Sequence, residues 1–66
     1  MKDGDPKFII FGDVCDGYWW RLRSASGKTI EASGRLHLRK AECKMEVRRL
    51  KEERYPSARV RDATIG

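Results

Sequence analysis

Apolar and polar residues alternate with a period of two over the first half of the chain and follow a helical spacing over the second. "KFIIFGD", from Lys7, is rich in β-branched and aromatic residues and stops at Gly12-Asp13. "YWWRLRS" follows after a Gly-containing loop, and "KTIEAS", Lys28 to Ser33, follows the turn "SASG". Short runs of this kind bounded by turn residues predict three strands joined by hairpins. Side chains in a strand point alternately to the two faces. The even positions Phe8, Ile10, Tyr18, Trp20, Leu22, Ile30 and Ala32 then form one apolar face. The odd positions Lys7, Ile9, Phe11, Trp19, Arg21, Arg23, Thr29, Glu31 and Ser33 form a mixed face.

Partners across a sheet must share a face, which predicts Leu22 opposite Ile30 and Trp20 opposite Ala32. That register leaves Ala25, Ser26 and Gly27 as a three-residue connection, with Gly27 at positive φ. A two-residue Ser26-Gly27 turn would set Leu22 against Glu31 and is rejected. From Leu38 to Arg54, "LRKAECKMEVRRLKEER" lacks Gly and Pro, and Cys43, Val47 and Leu50 form a narrow apolar stripe. This predicts a helix packed on the even face. Arg48 with Glu52 and Arg49 with Glu53 give i,i+4 pairs on its outer side. Pro56 ends it. "ARVRD", Ala58 to Asp62, reads as a last strand with Val60 inward and Arg59 and Arg61 outward. The fold class expected is α+β, in the order β-β-β-α-β: an antiparallel meander with one helix on one face. One domain covers residues 1–66, with a core over 7–62, a polar N-terminal tail at 1–6 and a short C-terminal tail at 63–66.

Composition changes this picture in two ways. With 66 residues, 39% of them hydrophobic, and a mean hydropathy of −0.72, a lone domain has little apolar area to set against its ordering entropy, so a second copy is expected to share the core. Fifteen Lys and Arg against ten Asp and Glu give a net charge of +5 and a pI near 9.6, which favours encounter with polyanions. No apolar run reaches the length of a signal sequence or a membrane span, and a cytoplasmic protein is expected. Cys15, in the first loop, and Cys43, in the helix, have no paired spacing and are expected to stay reduced.

The order of elements and the residues "GYWWRLRSASGKTIEASG", with "KAEC" opening the helix and "VRRLK" closing it, resemble the YegP-like family of small, mostly bacterial proteins of uncharacterised function. The resemblance runs from about Phe8 to Asp62. It is most specific at Trp20-Arg21-Leu22, at the turn ending in Gly27, at Ser33-Gly34 and at Lys40-Ala41 with Cys43. It implies a unit of three strands, a helix and a strand, found as a tandem repeat or as a homodimer. For a chain with one unit it implies a homodimer with a continuous sheet and exchanged C-terminal strands, here Ala58 to Asp62. Arg35, Leu36, His37 and Leu38 stand where the family tends to have an acidic residue, Gly, an aromatic and Ser. That departure removes the usual hydroxyl N-cap and predicts an irregular first helical turn.

Chemistry-bearing residues are few. His37 is the only histidine, and no phosphate loop or nucleophile motif accompanies it. Cys15, Asp13, Asp16 and His37 lack any recognised metal-ligand spacing. No catalytic, cofactor or metal site is expected, and no small-molecule substrate or membrane partner. The mixed face is different. Lys7, Phe11, Trp19, Arg21, Arg23, Arg59 and Arg61 would place rings among cations on an open sheet, the arrangement single-stranded nucleic-acid binders use. The expected function is weak, non-enzymatic binding of nucleic acid or another polyanion. Two alternatives stand beside it: a structural face on which Arg21 or Arg23 stacks on Trp19, and a protein-interaction module docking through the exposed rings.

Overall fold

A computed structural model of the chain describes residues 4–64; Met1 to Asp3 of the predicted N-terminal tail and the last two residues of the C-terminal tail lie outside the described residues. Strands β1 (Lys7–Asp13), β2 (Gly17–Arg23) and β3 (Thr29–Ala32) are followed by helix α1 (Lys40–Glu53) and strand β4 (Arg59–Asp62). The sheet order is β3-β2-β1-β4. Its first three strands form the expected antiparallel meander, and β4 lies parallel to β1, so the sheet is mixed.

The core follows from the alternation in β1 and β2. Phe8, Ile10, Tyr18, Trp20 and Leu22 are buried under Cys43 and Val47 of α1, with Ala58 beside them and Leu50 and Tyr55 at the margin. Phe8 meets the rings of Trp20 and Tyr55 edge-on at centroid distances of 5.5 and 6.0 Å. Each fully buried apolar side chain of this size contributes about 1.5–3 kcal/mol. Both cysteines are free thiols, Cys15 exposed and Cys43 buried.

The turn before β3 has the expected form. Ser24 N donates to Lys28 O at 2.8 Å and Gly27 N to Ser24 O at 2.9 Å, with Gly27 at φ 93°. The predicted register beyond it is wrong. Arg23 pairs with Thr29, but Leu22 pairs with Glu31 and Arg21 with Ala32, because a bulge inserts Ile30 as an extra residue. Ile30 is 46% exposed and Ala32 is exposed, so neither belongs to the apolar face. Glu31 moves to the helix side, where the Tyr55 hydroxyl donates to it at 2.5 Å and Arg54 lies 3.8 Å away. A bulge costs one unpaired residue and flips the face of everything after it. Here the flip gives the Glu31 carboxylate two partners on the helix side.

Helix α1 begins without a side-chain cap: Arg39 stands at the N-cap in extended conformation, as the missing hydroxyl implied. The helix packs over β1 and β2. A helix about 10 Å across covers roughly two strands at about 4.8 Å spacing, so its body leaves β4 uncovered and, among the described residues, only Lys40 and Lys44 extend to it, at Asp62. Val60 is paired with Phe8 and hence points to the helix side, as expected, but it is 48% exposed rather than buried. Arg59 N donates to Pro6 O and Ala63 N to Ile10 O, extending the β1–β4 pairing at both ends.

Candidate polyanion interface

The face of the sheet opposite α1 is built row by row from strand register. Lys7 lies between Arg23 on β2 and Arg59 on β4; Ile9 lies between Arg21 and Arg61; Phe11 lies beside Trp19. The structure therefore brings all seven sequence-predicted residues, Lys7, Phe11, Trp19, Arg21, Arg23, Arg59 and Arg61, onto one surface. Lys7, Arg21, Arg59 and Arg61 are exposed, while Phe11, Trp19 and Arg23 are half-buried.

The rings are arranged differently from the alternative in which an arginine covers Trp19. Trp19 stacks on Phe11 with centroids 5.9 Å apart and planes inclined by 19°. The Arg21 guanidinium stands 5.9 Å from the Phe11 centroid, within cation–π range of that ring. On its other side Trp19 borders a shallow depression of about 620 Å³ lined by Arg21, Ser33, Arg35 and Leu36, with Asp16 the one acid beside them among the described residues. Arg35 and Leu36 are held there because His37 exchanges two backbone hydrogen bonds with Tyr18, at 2.8 and 2.7 Å. These two residues were not legible as part of the face, since only that bridge sets the loop alongside β2.

Charge is distributed unevenly between the two sides. The ion pairs among the described residues join His37 to Glu46, Lys40 and Lys44 to Asp62, Arg48 to Glu52, Arg49 to Glu53 and Arg54 to Glu31. Each includes a residue of α1 or its C-cap. Among the described residues, none of Lys7, Arg21, Arg23, Arg59 and Arg61 has a carboxylate within 4 Å. Glu31, expected on this face from alternation alone, has left it through the bulge. The Arg23 Nε–H is buried and has no acceptor among the described residues.

On the helix side, Glu46 anchors a small polar network. Its Oε1 accepts the Trp20 indole N–H at 2.5 Å and lies 3.1 Å from Nε2 of His37, which is 9% exposed. The Trp20 hydrogen bond, with smaller help from His37 and against the effect of burial, holds the Glu46 carboxyl below its usual range. A carboxylate that accepts from two donors in this way ties β2, the loop before α1 and the helix together. Burial, with the nearby Glu46 charge, pushes the Cys43 thiol up to about 11, which leaves it a poor nucleophile at neutral pH. Asp13 accepts the backbone N–H groups of Cys15 and Asp16 through one oxygen, closing the first loop. Among the described residues no three His, Cys, Asp or Glu side chains gather as metal ligands, and no helix is long and apolar enough to cross a membrane.

Comparison with protein-family models, curated proteins and solved structures finds no match for this chain.

Proposed function

We propose that the open face binds polyanions, single-stranded nucleic acid foremost, weakly and without catalysis. One observation carries this reading: five cations with no carboxylate partner among the described residues share a face with an accessible pair of stacked rings, while the described ion pairs lie on the other side. A merely solvated surface would interleave the two signs, as the outer side of α1 does. Bases stack on rings without regard to sequence, and cations follow the backbone.

Titration of fluorescent single-stranded DNA and RNA at two salt concentrations tests the proposal. About five phosphate contacts on a single strand give a log–log salt slope of about −3.5. Changing Arg21 and Arg23 together to Glu weakens binding to all sequences and flattens that slope, whereas Trp19→Ala costs roughly 1–3 kcal/mol through lost stacking. Absence of binding at low salt, or unchanged affinity in both variants, overturns it. A salt-independent protein partner on the same rings is the outcome that would favour an interaction module.

The chain is further proposed to act as a homodimer exchanging β4, as the YegP-like resemblance implies. Supporting it, every residue of β4 is exposed, β3 and β4 are free edges among the described residues, and half-exposed Val60 lies beside a groove of about 370 Å³ that it shares with Lys44, Arg48, Lys51 and Asp62.

A further inference from the structure

The row Arg23–Lys7–Arg59 places three like charges directly opposite one another on adjacent strands. Strands are about 4.8 Å apart, and like charges facing across a sheet are destabilising. The row also lines a concavity. It closes one end of a pocket of about 510 Å³ whose floor is Ile9 and whose walls are the turn at Ser24, Ala25 and Gly27 and the segment at Gly4 and Asp5. Among the described residues Asp5 is the single acid on the wall, and it forms no ion pair with the row. The buried Arg23 Nε–H, without an acceptor among the described residues, belongs to a side chain lining this pocket.

We propose that the pocket is an oxyanion site that takes one phosphate group. An arginine fork matches either a carboxylate or a phosphate, but three cations lining one pocket exceed what one singly charged carboxylate with two oxygens can satisfy. A phosphate supplies more oxygens, and it supplies the acceptor that Arg23 lacks. The assignment rests on the reading of the open face as a polyanion surface and narrows it: the row fixes one phosphate, and the strand then runs along β2 past Arg21 to the ring of Trp19. The turn is a rigid wall for this purpose, since the Ser24 hydroxyl both contacts that of Ser26 at 2.9 Å and accepts from Lys28 N.

The test follows the side-chain Nε–Hε signal of Arg23 in ¹⁵N-labelled full-length protein. Inorganic phosphate, replacing chloride at constant ionic strength, shifts that signal and the Gly27 amide. Arg23→Gln abolishes the Gly27 shift. Arg59→Gln, at an exposed residue whose replacement leaves the core untouched, weakens phosphate binding about tenfold. With a short single-stranded oligonucleotide, either variant lowers the salt slope by about one. Tighter binding of a 5′-phosphorylated oligonucleotide than of its unphosphorylated twin assigns the pocket to a terminal phosphate, and equal binding assigns it to an internal diester. An Arg23 signal indifferent to phosphate, with unchanged salt slopes in both variants, overturns the site even if the oligonucleotide still binds. If Arg23 responds to inorganic phosphate while no oligonucleotide binds at low salt, the pocket stands and the nucleic-acid reading fails.

Discussion

Trp19 and Trp20 are neighbours with opposite surroundings, and each indole makes a different demand. Trp20 is buried, so its N–H must find an acceptor inside the fold. Glu46 supplies it and also meets His37, which links β2, the loop before α1 and the helix through one carboxylate. Glu46→Gln retains an oxygen for Trp20 and removes the charge. Because Glu46 is partly exposed, solvent screening limits the cost to about 1 kcal/mol at neutral pH. The pH dependence follows from the lowered carboxyl. A folded state that binds fewer protons than the unfolded one gains stability as pH rises, so the contribution is complete above the ordinary Glu value of 4.5 and is lost as pH falls through the lower folded value. Urea titrations of wild type and Glu46→Gln should therefore differ most above about pH 5 and draw together as the pH is lowered into the acid range. A gap of constant size across that range would mean that charge at Glu46 is not what stabilises the network.

At the scale of elements, two glycines separate backbone conformation from space. Gly12, at φ 128°, ends the regular part of β1, and a Cβ there would lie 2.2 Å from Gly17 O and 2.7 Å from Tyr18 Cα. Gly27, at φ 93° in the turn before β3, has open space around the same position. Gly27→Ala should cost about 1–2 kcal/mol, the left-handed penalty alone. Gly12→Ala adds a backbone clash to a conformation almost confined to glycine and should cost clearly more, about 3 kcal/mol or above. Equal losses in denaturant midpoint would show that the β1–β2 end yields freely. The same elements show what was legible beforehand. Strands β1 and β2 are two-sided, so their buried residues and five of the seven residues of the open face follow from a period of two, and Arg59 and Arg61 follow from the same period in β4. Strand β3 defeats that reading because its bulge at Ile30 answers to Tyr55 and Arg54, groups more than twenty residues away in sequence. His37 and Arg35 were opaque for a related reason: a backbone bridge to Tyr18 positions them, and no side-chain pattern encodes it.

For the whole molecule, the decisive fact is how little one helix covers. Helix α1 lies on β1 and β2, while β4 is held by its ladder to β1 and by the reach of Lys40 and Lys44 to Asp62, at 2.7 and 3.6 Å. Those contacts need β4 beside β1, yet nothing in them requires the strand to come from the same chain. Tyr55-Pro56-Ser57 is a short, stiff connection after the helix, and passing the next strand to a neighbour joins two small cores into one cooperative unit. The phosphate row depends on the same adjacency, because Arg59 completes it from β4 whichever chain provides that strand. Light scattering at micromolar concentration should report about twice the 7.7 kDa chain mass. Truncation after Pro56 removes buried Ala58 together with Arg59, Arg61 and Asp62, so it should lower thermal stability, dimer content and polyanion affinity in parallel. An exchanged strand also makes dissociation a partial unfolding, so subunits of two differently tagged pools should mix slowly in buffer and quickly in mild denaturant. A folded monomer at that concentration, or rapid mixing without denaturant, would rule out exchange and return β4 to its own chain.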